Sequence, residues 1–245
     1  MHLVRIFKSI FRRLKNALSV FFFANNYYLF EKEKYDFLQY HFSQEGEDIV
    51  FWKIINSQPK GFYVDVGAHH PQRLSNTHLL YLKGWRGINI DPLPGSKNIF
   101  DKIRPHDLNI ECGISSRQGK LMYYKFEEPL LNTFSENLML EYISKGNIMV
   151  DSQQINTFPL SSILNEQLPV GMKIDLLTVD VEGLDIEVLM SNDWAKFRPQ
   201  YIIVEDLGSY SLKDLMDSDV YNFLASKDYE AISKLHNSVI FHSKN

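Results

Sequence analysis

Four acids in this chain stand at the ends of short apolar runs. Asp65 falls in Phe62-Tyr63-Val64-Asp65-Val66, and Asp91 follows Gly87-Ile88-Asn89-Ile90. Asp180 follows Ile174-Asp175-Leu176-Leu177-Thr178-Val179, and Glu205 follows Tyr201-Ile202-Ile203-Val204. A carboxylate accepts hydroxyl protons, takes a proton from a reacting group, or ligates a hard cation. An acid that closes an apolar strand needs a partner, because burying an unpaired charge is costly. Gly67 follows the first acid; it tolerates unusual dihedrals and lets backbone approach a ligand. The acid at the tip of the next strand, Asp91, is placed to accept both hydroxyl protons of a ribose. The loop lacks the Gly-x-Gly-x-x-Gly spacing that brings a pyrophosphate onto a helix N-terminus. A nucleoside without a diphosphate fits better, and S-adenosylmethionine is the commonest such cofactor.

These acids need a scaffold that presents several strand ends on one rim. Strands are predicted over 62–66, 87–90, 108–112, 174–180, 201–205, 229–234 and 238–242. Helices are predicted over 49–55 with Ser43 as N-cap, and over 76–83, 160–168, 184–190 and 211–226. Residues 120–126 and 147–155 alternate apolar with polar and are read as an inserted hairpin over the site. Alternating strands and helices with a terminal strand pair predict an α/β fold. Its sheet is doubly wound, mostly parallel and Rossmann-like, with a terminal antiparallel strand. Ligands on such sheets bind at the strand carboxyl ends, where the strand order switches.

At 245 residues, with 44% hydrophobic and 23% charged residues, the chain suits one α/β domain with an N-terminal extension. A net charge of -4 argues against nucleic acid as a partner. The single cysteine, Cys112, excludes an intramolecular disulfide and a multi-cysteine metal site, and suits a cytoplasmic setting. Residues 1–20 carry Arg5, Lys8, Arg12, Arg13 and Lys15 and no acid, with apolar residues at helical spacing. Residues 1–42 are read as a basic amphipathic helix and connector, and 43–245 as the main domain. The helix over 1–24 suits peripheral contact with an anionic inner membrane face, or packing on protein. The apolar run Val20–Ala24 is far shorter than the roughly 20 residues a membrane span requires.

Six segments resemble the FkbM family of S-adenosylmethionine-dependent methyltransferases. They are Ser43-Gln44-Glu45-Gly46-Glu47-Asp48, Val64-Asp65-Val66-Gly67-Ala68-His69, Ser75-Asn76-Thr77, Gly84 through Pro92, Asp180-Val181-Glu182-Gly183 and the strand ending at Glu205. They run in family order over residues 43–206. The resemblance implies a class I methyltransferase fold. It implies that the cofactor's methionine end lies over Asp65, Gly67, Ala68 and His69, where the family often has Asn in place of His69. Asp91 would hold the ribose, and Cys112 and Gly113 would flank the adenine. Gln44, Asn76, Pro92 and Asp180 are the remaining cofactor-binding residues implied.

Asp180-x-Glu182-Gly183 is the expected reaction centre, with Glu182 and Asp180 as catalytic residues. Methyl transfer from a sulfonium is an in-line displacement, so the acceptor must be aligned and its proton removed. A hydroxyl is a far weaker acid than a carboxylic acid, so Glu182 is expected to take the proton as the new bond forms. The competing reading makes Glu182 a helix-start acid facing the dipole. Asp180, Glu205 and Asp206 form a candidate oxygen set for Mg2+, an arrangement similar to some magnesium-dependent sugar O-methyltransferases. Against it, Asp180 and Glu205 would only orient the cofactor. His70-Pro71 is read as loop shape, Trp85 as packing, and Tyr123, Tyr124 and Phe134 as either a sugar pocket or core. The expected activity is O-methylation of a sugar hydroxyl in a surface glycan or glycolipid. The alternatives are a small-molecule or nucleotide-sugar acceptor, or a non-catalytic membrane-associated scaffold. A nicotinamide-dependent oxidoreductase is disfavoured by the missing loop glycine.

Overall fold

The computed structural model describes residues 39–244. The amphipathic helix expected over 1–24 and most of its connector lie outside the described residues. Residues 41–245 form one unit.

Strand alternation builds the sheet. β1 (Phe62–Val66), β2 (Arg86–Asp91), β3 (Leu108–Glu111), β7 (Leu176–Val179) and β8 (Tyr201–Glu205) lie parallel in the order β3-β2-β1-β7-β8. The antiparallel strands β10 (Ser238–Ser243) and β9 (Tyr229–Lys234) complete the far edge. On β1, Phe62, Val64 and Val66 enter one apolar cluster and Tyr63 the other. Leu177 and Val179 against Leu176, Ile202 and Val204 against Ile203, and Val239 and Phe241 against Ile240 repeat the split. A period of two with both faces apolar is the signature of a sheet covered on both sides.

Helices supply the covers. Phe51 of α1 (Glu47–Ile54), Leu80 of α2 (His78–Leu82) and Trp85 fill one face. The other receives α5 (Leu160–Gln167), α6 (Asp185–Met190), α7 (Leu212–Met216) and α8 (Asp219–Ser226). The chain runs outward from β1 to β3, then returns to place β7 on the other side of β1. Strand order therefore switches between β1 and β7, and their carboxyl ends flank a crevice.

A second sheet sits on residues 113–158. β4 (Gly113–Ile114) runs parallel to β6 (Met149–Phe158), and β6 is antiparallel to β5 (Gly119–Phe126). The two long strands pair as expected, but no tight hairpin joins them: the 3-10 turn Pro129–Leu131 and the helix α4 (Glu136–Ser144) lie between. α3 (Ser96–Ile103), between β2 and β3, was also not anticipated.

Three differences from the sequence reading have a local cause. The N-cap of α1 is Gly46, at φ 89, and not Ser43. Ser43 serves the same helix from further back: its hydroxyl donates to the Asp48 carboxylate at 2.7 Å and accepts the Asp48 N–H at 3.3 Å. The helix expected over 211–226 is two helices, because Ser218 caps a new start by accepting the Tyr221 N–H at 3.0 Å. The third strand ends at Glu111, since Gly113 already belongs to the second sheet. Among the described residues, no helix is long and apolar enough to cross a membrane.

Candidate active site

A cleft lies at the crevice between β1 and β7. Every residue expected to hold the cofactor, from Gln44 to Asp180, lines it, together with Glu182. The inserted segment adds Tyr123 of β5, and Asn132 and Phe134 from the stretch that follows it, to the lining. Glu205 and Asp206 are not among the lining residues.

At the end near β2, the buried Asp91 carboxylate is fixed by two backbone donors. Oδ1 accepts Leu93 N–H and Oδ2 accepts His69 N–H, each at 2.9 Å. Each oxygen keeps acceptor capacity for one hydroxyl proton. Burial raises Asp91 to about 6, with those hydrogen bonds opposing. His69 sits at φ 52, a left-handed conformation that Asn adopts readily. Burial and then the Arg73 charge lower its imidazole to about 4, so the ring is neutral at pH 7. His70 Nδ1 accepts the N–H groups of Gln72 and Arg73 at 3.1 and 3.0 Å, which makes it a turn former. Asp65 accepts the Thr77 hydroxyl at 2.6 Å, and burial raises it to about 6.

Gly67 has a tighter reason than ligand approach. A Cβ there would lie 1.8 Å from the Asp180 carbonyl oxygen. The loops after β1 and β7 touch backbone to backbone, and only glycine leaves room.

At the other end, oxygens of Asp180, Glu182 and Glu205 lie within 4.8 Å of one another. Asp206, expected beside Glu205 as a cation ligand, is not in this group. Consecutive side chains leaving a strand point to opposite faces, and the Asp206 charge acts on Lys234 instead. Burial raises all three carboxyls, and neighbouring acids add to it: chiefly Asp185 for Asp180, Asp180 for Glu182, and Asp180 and then Glu182 for Glu205. Glu182 reaches about 7, raised by burial and then Asp180, and lowered by the Tyr142 hydroxyl. Asp180 and Glu205 are also raised. Glu205 is 9% exposed, and its Oε2 has no hydrogen-bond partner.

The inserted segment holds Glu182 twice. The Tyr142 hydroxyl on α4 donates to Glu182 Oε2 at 2.9 Å, and the Thr133 hydroxyl donates to the Glu182 carbonyl at 2.9 Å. Glu182 sits at φ 53, a left-handed conformation that costs an L-residue about 1–2 kcal/mol. Gly183 follows at φ 92, where a Cβ would meet Leu138 of α4 at 2.5 Å. Asp185 is the helix-start acid here: its carboxylate accepts Val181 and Gly183 N–H at 3.1 and 3.2 Å. That occupies the role offered as the alternative for Glu182, whose side chain turns to Tyr142 and the cleft.

Thr133, Tyr142 and Asn132 were missed by sequence reasoning. They lie about 40–50 residues from Glu182, in a segment whose helix shows no clean apolar stripe: Leu140 and Ile143 of α4 are exposed while Met139 is buried.

No curated protein matches the chain in sequence. The solved precorrin-6y C5,15-methyltransferase from Geobacter metallireducens GS-15 resembles it at 12% identity, over 81% of this chain and 87% of that one, with a TM-score of 0.40. The sheet order, with five parallel strands closed by an antiparallel pair, is that of a class I methyltransferase. The family model for the methyltransferase FkbM domain matches residues 65–231, well over half of the chain, so the chain belongs to the FkbM methyltransferases, for which S-adenosylmethionine is the usual cofactor.

Proposed function

We propose that this methyltransferase uses S-adenosylmethionine to methylate a hydroxyl group, and that the hydroxyl belongs to a sugar of a surface glycan or glycolipid. The observation that carries the reading is Glu182: a carboxyl held in the cleft, raised to about 7, and oriented by Tyr142. A general base works best when its pKa lies near the operating pH.

The cleft fits the cofactor, since Asp91 keeps one acceptor position per oxygen for a ribose diol. Asp91 would hold the ribose, Asp65 and the loop Gly67-Ala68-His69 the methionine end, and Cys112 and Gly113 the adenine. Gln44, Asn76 and Pro92 complete the wall. When bound, S-adenosylmethionine supplies an electrophilic methyl group and leaves as a neutral thioether. Glu182 would accept the proton of the acceptor hydroxyl whose oxygen takes the methyl group. Asp180, raised to about 8 by burial and then by the Asp185 charge, holds its proton more readily than Glu182 and would orient the acceptor by hydrogen bonding.

The trio Asp180, Glu182 and Glu205 is also an all-oxygen donor set that suits one hard divalent cation such as Mg2+. Bound there, the cation would polarise the acceptor oxygen. Activity lost in EDTA and restored by magnesium supports it; full activity in EDTA removes the metal from the mechanism.

The deciding experiment incubates full-length protein and S-adenosyl-[methyl-3H]methionine with lipid-linked glycan extract, free sugars and nucleotide sugars. Label in a glycan-bearing fraction that survives mild alkali marks an ether and supports the reading. Alkali-labile label marks a carboxyl ester and overturns the hydroxyl assignment. Calorimetric titration with S-adenosylhomocysteine tests the cofactor site: Asp91→Ala should weaken binding, and unchanged affinity rejects Asp91.

A further inference from the structure

Tyr123 lies on β5, in the inserted sheet and not in the sheet that carries the acids. It lines the same cleft as Asp91 and is 6% exposed. Its ring packs against Phe134 with centroids 4.7 Å apart. Phe134 is in turn seated on Gly113, where a Cβ would approach its ring to 2.7 Å.

The hydroxyl of Tyr123 keeps its proton. Burial raises the phenol well above its usual value, and the charges of Asp91 and then Glu182 add to the rise. Asn132, whose Oδ1 accepts the Phe126 N–H at 2.8 Å, lines the cleft with Tyr123. A protonated phenol is a hydrogen-bond donor.

Asp91 offers acceptors only. A ribose diol bound there gives both protons to the carboxylate, and its hydroxyl oxygens then need donors. We infer that Tyr123, its ring held by Phe134, donates its phenol proton to one ribose hydroxyl oxygen held by Asp91, so that the inserted sheet reads the cofactor's sugar. Tyr123 is on this account a specificity residue for a ribonucleoside over its deoxy analogues. The inference rests on the cofactor site proposed above.

The test is calorimetric titration of full-length wild type and Tyr123→Phe with S-adenosylhomocysteine and its 2′-deoxy and 3′-deoxy analogues. Phenylalanine keeps the ring contact with Phe134. Removing one hydrogen bond should weaken S-adenosylhomocysteine about fivefold to tenfold. One of the two deoxy analogues, lacking the hydroxyl that Tyr123 contacts, should bind wild type and variant within twofold. Equal losses for all three ligands, or no loss for S-adenosylhomocysteine, overturns the inference. Wild type alone supplies a second check, because it must bind that same deoxy analogue more weakly than S-adenosylhomocysteine. Failure of wild type to bind S-adenosylhomocysteine at all overturns the cofactor site itself, and the inference with it.

Discussion

Two regions of this protein bury ionisable groups, and they are built in opposite ways. Beneath the cleft, Arg104 is 0% exposed and fully partnered. It donates to Asp107 at 2.8 Å, to the Tyr63 hydroxyl at 2.5 Å and to the Thr77 hydroxyl at 3.0 Å. Its guanidinium stacks over Tyr63, Tyr81 and Phe100. Asp107 also accepts from Tyr63, from Gly87 N–H and from Asn89. Across the sheet crevice, Asp180, Glu182 and Glu205 crowd together, and among the described residues none of them has an ion pair. A paired and hydrogen-bonded buried charge is inert scaffolding; crowded, desolvated acids without a cation are poised to bind a proton, a substrate or a metal. Thr77 joins the two designs, since the hydroxyl that receives Arg104 donates to Asp65 in the cleft wall.

The contrast breaks if the two regions respond alike to mutation. The largest effect is expected at Glu182→Gln, which should lower methyl transfer about 10²–10⁴-fold while the unfolding midpoint does not fall. Removing one charge from the acid trio relieves repulsion and leaves no partner stranded. A parallel loss of stability and unchanged turnover would place Glu182 with the scaffold. Arg104→Met should do the reverse in denaturant unfolding, costing about 3–5 kcal/mol by stranding Asp107. A cost under about 1 kcal/mol would show that the network is dispensable.

Acidity sharpens the comparison further. Asp65 and Asp91 are each raised to about 6, so the folded protein holds their protons more tightly than the unfolded chain. They contribute stability below about pH 4, and it is lost as pH rises through about 6. Thermal unfolding of the free protein should show that fall. Binding of S-adenosylhomocysteine needs ionised Asp91 and should move the other way, weakening about tenfold from pH 7 to pH 5 by titration calorimetry. Affinity that is flat over this range would separate Asp91 from the ribose. The smallest expected effect is at Tyr142→Phe. It should cut turnover about threefold to tenfold and leave S-adenosylhomocysteine affinity unchanged, because Tyr142 orients Glu182 and does not line the cleft. Loss of affinity instead would mark it as packing.

Much of the scaffold was legible in the chain. β1 and β8 were read to the residue, because each is a short apolar run bounded by breakers. α3 was missed since its sequence is mostly polar and Phe100 is its one buried large apolar side chain. The split between α7 and α8 turned on Ser218, which reads equally as helix interior or cap until the backbone is seen. Gly67 was read as a glycine that lets backbone approach a ligand, whereas the group that leaves no room for a Cβ there is the Asp180 carbonyl, over 100 residues away.

Local composition determined the sheet, its two-sided burial and the strand-end acids, because alternation and strand termination are written in adjacent residues. The acids' convergence, the exchange of Asp206 for Glu182 in the trio, and the grip of Thr133 and Tyr142 on Glu182 were decided by tertiary structure. Those contacts join segments far apart in the chain, and side-chain direction at a strand end depends on where the backbone turns next.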